Sequence, residues 1–190
     1  VKLRQLLGSG VNLNIHMGDW SNAQATIASG TSGPTDVLLA NRKRSVNAVF
    51  AIFRKSSDLT DVEVESVSCR KSLGLTAYQY SVAGVEMPSK QITGGLTDLG
   101  EYMINTQMAL KRVGSQDAAR GVATFENILL ADDTTTGCVV AYSLDMQAYR
   151  GVLSGKNLSS AMPLIFRPTI GASTTSQSSN AACICDVYSH

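Results

Sequence analysis

Tyr78-Gln79-Tyr80-Ser81-Val82-Ala83-Gly84 decides the fold class. Tyr78, Tyr80 and Val82 alternate with Gln79 and Ser81, the two-residue period of a strand with one buried face. Ala83-Gly84 turns the chain, and Pro88 ends the pattern. Upstream, residues 45–53 carry Val46, Ala48, Val49, Phe50, Ile52 and Phe53 between charged flanks. That run reads as a central strand covered on both faces. Val11-Asn12-Leu13-Asn14-Ile15-His16-Met17 and Val62-Glu63-Val64-Glu65-Ser66-Val67 alternate like half-buried strands.

Further strand text follows at residues 122–130, at Cys138-Val139-Val140-Ala141-Tyr142-Ser143-Leu144, and at Leu164-Ile165-Phe166-Arg167. Pro163 and Pro168 fence the last of these. Ala182-Cys183-Ile184-Cys185-Asp186-Val187-Tyr188 closes the series. Residues 20–28 read as a short helix or irregular arm. Ser29-Gly30-Thr31-Ser32-Gly33-Pro34 is the best internal boundary. One segment departs from the strand rhythm. Leu99, Met103, Thr106, Leu110 and Val113 recur at three- and four-residue steps. Thr97 or Asp98 can cap the start, and Lys111-Arg112 followed by Gly114 suits the end of a helix. About eight strands from Ser45 onward, one inserted helix and no βαβ alternation predict an all-β, antiparallel sandwich.

The chain has 190 residues, enough to bury a core without metal or disulfide staples. Only 16% of residues are charged, so hydroxyl, amide and glycine residues must make up much of the polar surface. Such a surface suits strands, turns and broad protein contacts. The net charge is +1, which offers no basic footprint for nucleic acid. Asn41-Arg42-Lys43-Arg44 is too short to neutralise much phosphate and reads as a solvated or subunit-contact loop. Cys69, Cys138, Cys183 and Cys185 form no CxxC pair and read as reduced core residues. Cys183 and Cys185, two apart on a strand, share a face and would not easily bond to each other. No apolar stretch reaches the roughly 20 residues of a membrane span, and no signal peptide is visible. The chain opens without Met and stops at Tyr188-Ser189-His190 on strand-like text. The 190 residues are therefore expected to be part of a longer protein.

Catalytic patterns are thin. His16 and Asp19 could pair, but His16 sits on the polar face of a strand, and Gly8-Ser9-Gly10 is no nucleophile elbow. Asp132-Asp133 lacks calcium-loop spacing and reads as a turn. Gly94-Gly95 lacks the lysine of a phosphate loop. Asn157-Leu158-Ser159 matches a glycosylation acceptor, with chance as its default explanation. Tyr78, Tyr80, Tyr102, Tyr142, Tyr149, Phe166 and Tyr188 are not interleaved with cations as a base-stacking platform would be. Core or interface packing is the plainer reading. No catalytic, cofactor-binding or metal residue is assigned, no cofactor is expected, and the chain reads as a non-enzyme.

The order of these features resembles a known family. Tyr78-Gln79-Tyr80-Ser81-Val82-Ala83-Gly84-Val85-Glu86-Met87-Pro88-Ser89-Lys90 resembles the strand text before an inserted helix. Leu153-Ser154-Gly155-Lys156-Asn157-Leu158-Ser159 resembles the loop before a penultimate strand. Together they resemble the second, C-terminal jelly roll of the double jelly-roll, hexon-like major capsid proteins of double-stranded DNA viruses, the group that includes virophage and Polinton-like shells. The resemblance runs from about Arg44 to Tyr188. It implies an antiparallel jelly roll over residues 41–190, with residues 1–40 as the end of a preceding roll and a linker. It also implies a structural protein of the virion, a homotrimer that contacts neighbouring capsomers and other capsid proteins in an icosahedral shell. Two other classes compete. A jelly-roll carbohydrate- or ligand-binding module predicts an exposed aromatic cluster at one end of the sandwich. A hydrolase would depend on His16.

Overall fold

The computed structural model describes residues 8, 18–40, 42–60, 75–94, 100–113, 139–144, 155–158, 163–171 and 183–189. Among these, nine strands form two antiparallel sheets. They are β1 (Ser21–Ile27), β2 (Gly33–Pro34), β3 (Val37–Leu39), β4 (Ala48–Lys55), β5 (Leu75–Val82), β6 (Val85–Thr93), β7 (Val139–Ser143), β8 (Leu164–Ile170) and β9 (Cys183–Ser189). The helix α1 (Gly100–Val113) lies between β6 and β7.

One sheet has the order β1-β9-β4-β7 and the other β2-β8-β5-β6, with β3 also pairing to β8. Because β2 and β3 both pair with β8, they are two halves of one interrupted strand. Renumbered on that basis, the sheets run 1-8-3-6 and 2-7-4-5. This is the strand order of a jelly roll, so the described residues form an antiparallel jelly-roll sandwich, with α1 inserted between its fifth and sixth strands.

The inward faces build the core. β4 contributes Val49, Ala51 and Phe53, and β9 contributes Cys185 and Val187. Opposite them stand Tyr78, Tyr80 and Val82 of β5 and Leu164 and Phe166 of β8. The Phe166 ring lies 4.9 Å from Tyr80, 6.1 Å from Phe53 and 6.3 Å from Tyr78, so aromatic contact crosses the gap between the sheets. The Tyr78 hydroxyl donates to Ala141 O at 2.8 Å, tying β5 to β7 of the other sheet. Tyr80 differs. Its buried hydroxyl finds no hydrogen-bond partner among the described residues, and burial, with the nearby Cys185, pushes its pKa well above the usual phenol range. The two hydroxyls should therefore respond differently to removal. Tyr78→Phe is expected to cost about 1 kcal/mol in urea unfolding, and Tyr80→Phe to be neutral or stabilising. Equal losses in both variants would contradict this account.

α1 packs against β7 and β4 of one sheet and reaches β6 of the other. Ala109 meets Ala48, Phe50 and Ala141 on the outer face of the β1-β9-β4-β7 sheet, flanked by Leu110, Val113 and Tyr188. The three alanines allow the helix backbone to approach the sheet. Tyr102 reaches past the sheet edge into the main core, 5.2 Å from the Tyr78 ring, and bonds Leu75 O at 3.4 Å. The buried side is Tyr102, Thr106 and Ala109, with Met103, Leu110 and Val113 half-buried beside it. From Met103 to Val113 the expected stripe is thus present, with its centre shifted by one residue; Leu99 lies outside the described residues.

Several sequence expectations need correction. Residues 20–28 are not a helix or an arm, because β1 runs from Ser21 to Ile27 and pairs with β9 over its full length. Its inward side is Ala23, Ala25 and Ile27, and alanine marks an inward position only weakly. The sandwich therefore takes three strands from residues N-terminal to the 40/41 boundary, and six of the described strands follow Ser45. Pro88 does not end the strand. Tyr78 faces Ile92 and Tyr80 faces Met87, so the intervening residues of edge strand β6 bulge out of register and tolerate proline. Pro168 lies within β8, not beyond it. Its carbonyl accepts Thr35 N–H at 2.9 Å on the side where β2 breaks into β3, so its missing N–H falls at that break. The expected strands at 11–17, 62–67 and 122–130, and the helix caps at Thr97, Asp98 and Gly114, lie outside the described residues.

Candidate assembly surface

The outer face of the β2-β8-β5-β6 sheet carries an ion-pair cluster. Arg167 of β8 points outward between the inward Phe166 and Pro168. Its Nε donates to Asp36 Oδ1 at 2.5 Å and its Nη2 to Asp36 Oδ2 at 3.2 Å. This two-pronged pairing matches the guanidinium fork to a carboxylate. Nη1 reaches Glu86 Oε1 of β6 at 3.1 Å. Gln79 of β5 donates to Glu86 Oε2 at 3.2 Å and to Pro88 O at 2.8 Å. The network links β8 and β5 to the β2–β3 break on one side and the β6 bulge on the other. Beside it, Leu38 is 63% exposed and pairs with the half-buried Ile165.

Asp36 is held below the usual carboxylate range, chiefly by the Arg167 hydrogen bond. The Arg167 charge helps, and slight burial opposes. A lowered native pKa gives stability that is present above the unfolded value and lost as pH falls through the native one. The pair is partly exposed and screened by solvent, so Asp36→Asn is expected to cost less than about 1 kcal/mol at neutral pH. Urea midpoints of both proteins across acid pH should converge below the usual carboxylate range. A gap that stays constant down to roughly pH 2 would rule out this linkage.

The opposite sheet shows an aromatic corner. Trp20 precedes β1, is 48% exposed, and lies 5.6 Å from the outward Phe50 ring. Tyr188 pairs with Asn22 on one side and Phe50 on the other. Nearby, Lys43 Nζ donates to Asp19 O at 2.5 Å and to Ser189 O at 3.3 Å. It therefore pins the start of β1 to the end of β9. In the basic run read as a loop, Arg42 and Arg44 are exposed, but Lys43 is half-buried and structural.

The Gly155-to-Leu158 segment docks on the residues before β4. Val46 and Lys156 exchange both backbone hydrogen bonds at 2.9 Å, and Leu158 N donates to Lys43 O at 2.8 Å. Leu158 is buried and Asn157 exposed. Helix α1 adds exposed Ile104 and Met108 on its outward side.

The residues weighed for chemistry are scattered. Asp19 is exposed, and its carboxylate stands 3.7 Å from Lys43 Nζ. His16, Gly95, Asp132 and Asp133 lie outside the described residues, as do Cys69 and Cys138. Gly94 is placed by packing: a Cβ there would lie 2.7 Å from the Tyr102 ring. Cys185 is in the core. Among the described residues, no three His, Cys, Asp or Glu side chains gather as metal ligands would, and no helix is long and apolar enough to cross a membrane. The Asp36–Arg167–Glu86 cluster was not legible in the sequence, because its members are 81 and 131 residues apart. Ile104 and Met108 did carry a signal: they are large apolar residues on the polar side of the helical wheel.

No protein-family model matches the chain, and no curated protein does. Among solved structures, a quasi-atomic model of the PBCV-1 virus capsid aligns at 10% identity and a TM-score of 0.46. It covers 90% of this chain and 45% of that one. The major capsid protein P2 from bacteriophage PM2 aligns at 11% identity and a TM-score of 0.37, covering 90% and 44%. The chain thus spans less than half the length of either of these two structures.

Proposed function

We propose that this chain is a jelly-roll module of a viral major capsid protein and acts by self-association in the virion shell. One observation carries the reading: the 1-8-3-6 and 2-7-4-5 strand order, with a helix inserted between the fifth and sixth strands. The positions of two stretches support the reading. Tyr78 to Lys90 forms the β5–β6 hairpin before α1, and Gly155 to Leu158 precedes the penultimate strand β8. The mechanism is assembly. Two sheets make a rigid wedge. Its charge-poor surface, with Trp20, Leu38, Val85, Ile104 and Met108 exposed, suits broad polar contacts with scattered apolar anchors. On this reading the unit is a homotrimeric capsomer and the shell icosahedral, and closed symmetry multiplies modest contacts.

Native mass measurement and electron microscopy of the full-length protein test this. Trimers or particles are expected. A stable, folded monomer at high concentration overturns the proposal.

A second reading, a carbohydrate-binding jelly roll, is favoured by the half-exposed Trp20 beside outward Asn22 and Gln24. An indole face with neighbouring amides suits stacking on a sugar. A glycan array without hits removes it.

A further inference from the structure

We propose that the outward face of α1 is a two-fold contact with the same helix of a second copy of this chain. The helix buries Tyr102, Thr106 and Ala109 against the sandwich. Glu101, Ile104, Met108 and Lys111 are all exposed. At about 100° per residue, these four fall within roughly 80° of the helical wheel and span about 15 Å along the axis. Ile104 is 55% exposed and Met108 45%, so the centre of the stripe is apolar.

The stripe is symmetric about position 106. Ile104 and Met108 lie two residues to either side of it, and Glu101 and Lys111 five. A two-fold axis at that level sets the helices antiparallel, with Ile104 against Met108 of the second copy and Glu101 against its Lys111. The parallel alternative would set like charges together. Antiparallel pairing also brings opposite helix-dipole ends together. Glu101 is held at the N-terminal end because its Oε2 accepts Thr93 N–H at 3.0 Å. Opposite charge at opposite ends of an apolar centre is the self-complementarity of an isologous contact. The patch is too small for a stable isolated dimer, so the contact is weak alone and gains strength in an array. The pairing stands independently of the shell reading. In a shell of trimers it would join one capsomer to the next.

Register tests it. Ile104→Cys and Met108→Cys proteins of the full chain are oxidised separately and as a mixture at about 1 mM, and links are mapped by peptide mass. The mixture is expected to give a 104–108 link several-fold more abundant than the 104–104 or 108–108 link of either protein alone. Lys111→Glu should lower the yield several-fold, and adding Glu101→Lys to it should restore the yield. Dominant 104–104 links, no restoration by the charge swap, or no 104–108 link overturns the contact. Particles without the link sink this inference and leave the shell reading standing. The link without particles does the reverse.

Discussion

Phe166→Ala is expected to destabilise the sandwich by about 3–5 kcal/mol, the range for removing a buried aromatic side chain. The reason is position. Phe166 is fully buried and lies in ring contact with Phe53 of one sheet and Tyr78 and Tyr80 of the other. Its neighbours sit on paired strands, so they cannot close the space without breaking register. β8 pairs with β3 on one side and β5 on the other at this same residue. Urea unfolding measures the loss through the midpoint at unchanged slope. Phe166→Leu should recover part of it, because it leaves a smaller cavity. A loss below about 1 kcal/mol for the alanine variant would show that the two sheets do not meet at this ring.

Gly155→Val is expected to cost about 2–3 kcal/mol, near the upper end for overpacking. A Cβ at Gly155 would stand 2.6 Å from both Asn47 Oδ1 and Ser45 Oγ and 2.7 Å from Val46 O. Asn47 could swing away, but Val46 O cannot, since it accepts Lys156 N–H. Ser45 Oγ accepts Gly155 N–H at 3.0 Å, so that bond is lost too. The bridge that docks the loop before β8 onto the segment before β4 must then open. Gly84→Val serves as a control: a Cβ there meets nothing within 4 Å, and its cost comes from a left-handed backbone with φ +77° in the β5–β6 turn. Thermal unfolding with amide exchange separates the two. Gly155→Val should lose protection at Val46 and Lys156, and Gly84→Val at the hairpin tip. Unchanged protection at Val46 would mean that the loop is held elsewhere.

Legibility in the sequence followed side-chain size. Residues 45–53 and Tyr78-to-Val82 were readable because bulky apolar residues such as Val49, Phe53, Tyr78 and Tyr80 mark their inward positions. The helix was readable because nothing else places Met103, Thr106 and Leu110 at helical steps. β1 was not, since Ala23 and Ala25 fill its inward positions and alanine carries little burial signal. Proline misled twice, because local rules treat it as a strand end. In β6 the edge and the bulge accommodate Pro88, and in β8 the break between β2 and β3 accommodates Pro168. Both accommodations come from a neighbouring strand, which local sequence does not reveal. The Arg167 cluster and the Trp20 corner likewise join residues far apart in the chain.

By itself, the sequence determined the antiparallel β class, the place of the helix and the scarcity of charge, because period and composition are local properties. Only the tertiary structure decided which strands are neighbours, that residues 21–39 belong to the sandwich, and which helix face turns outward. Strand order and exposure are set by pairings across more than a hundred residues, such as Ala23 with Val187, where backbone hydrogen bonding carries no side-chain signature.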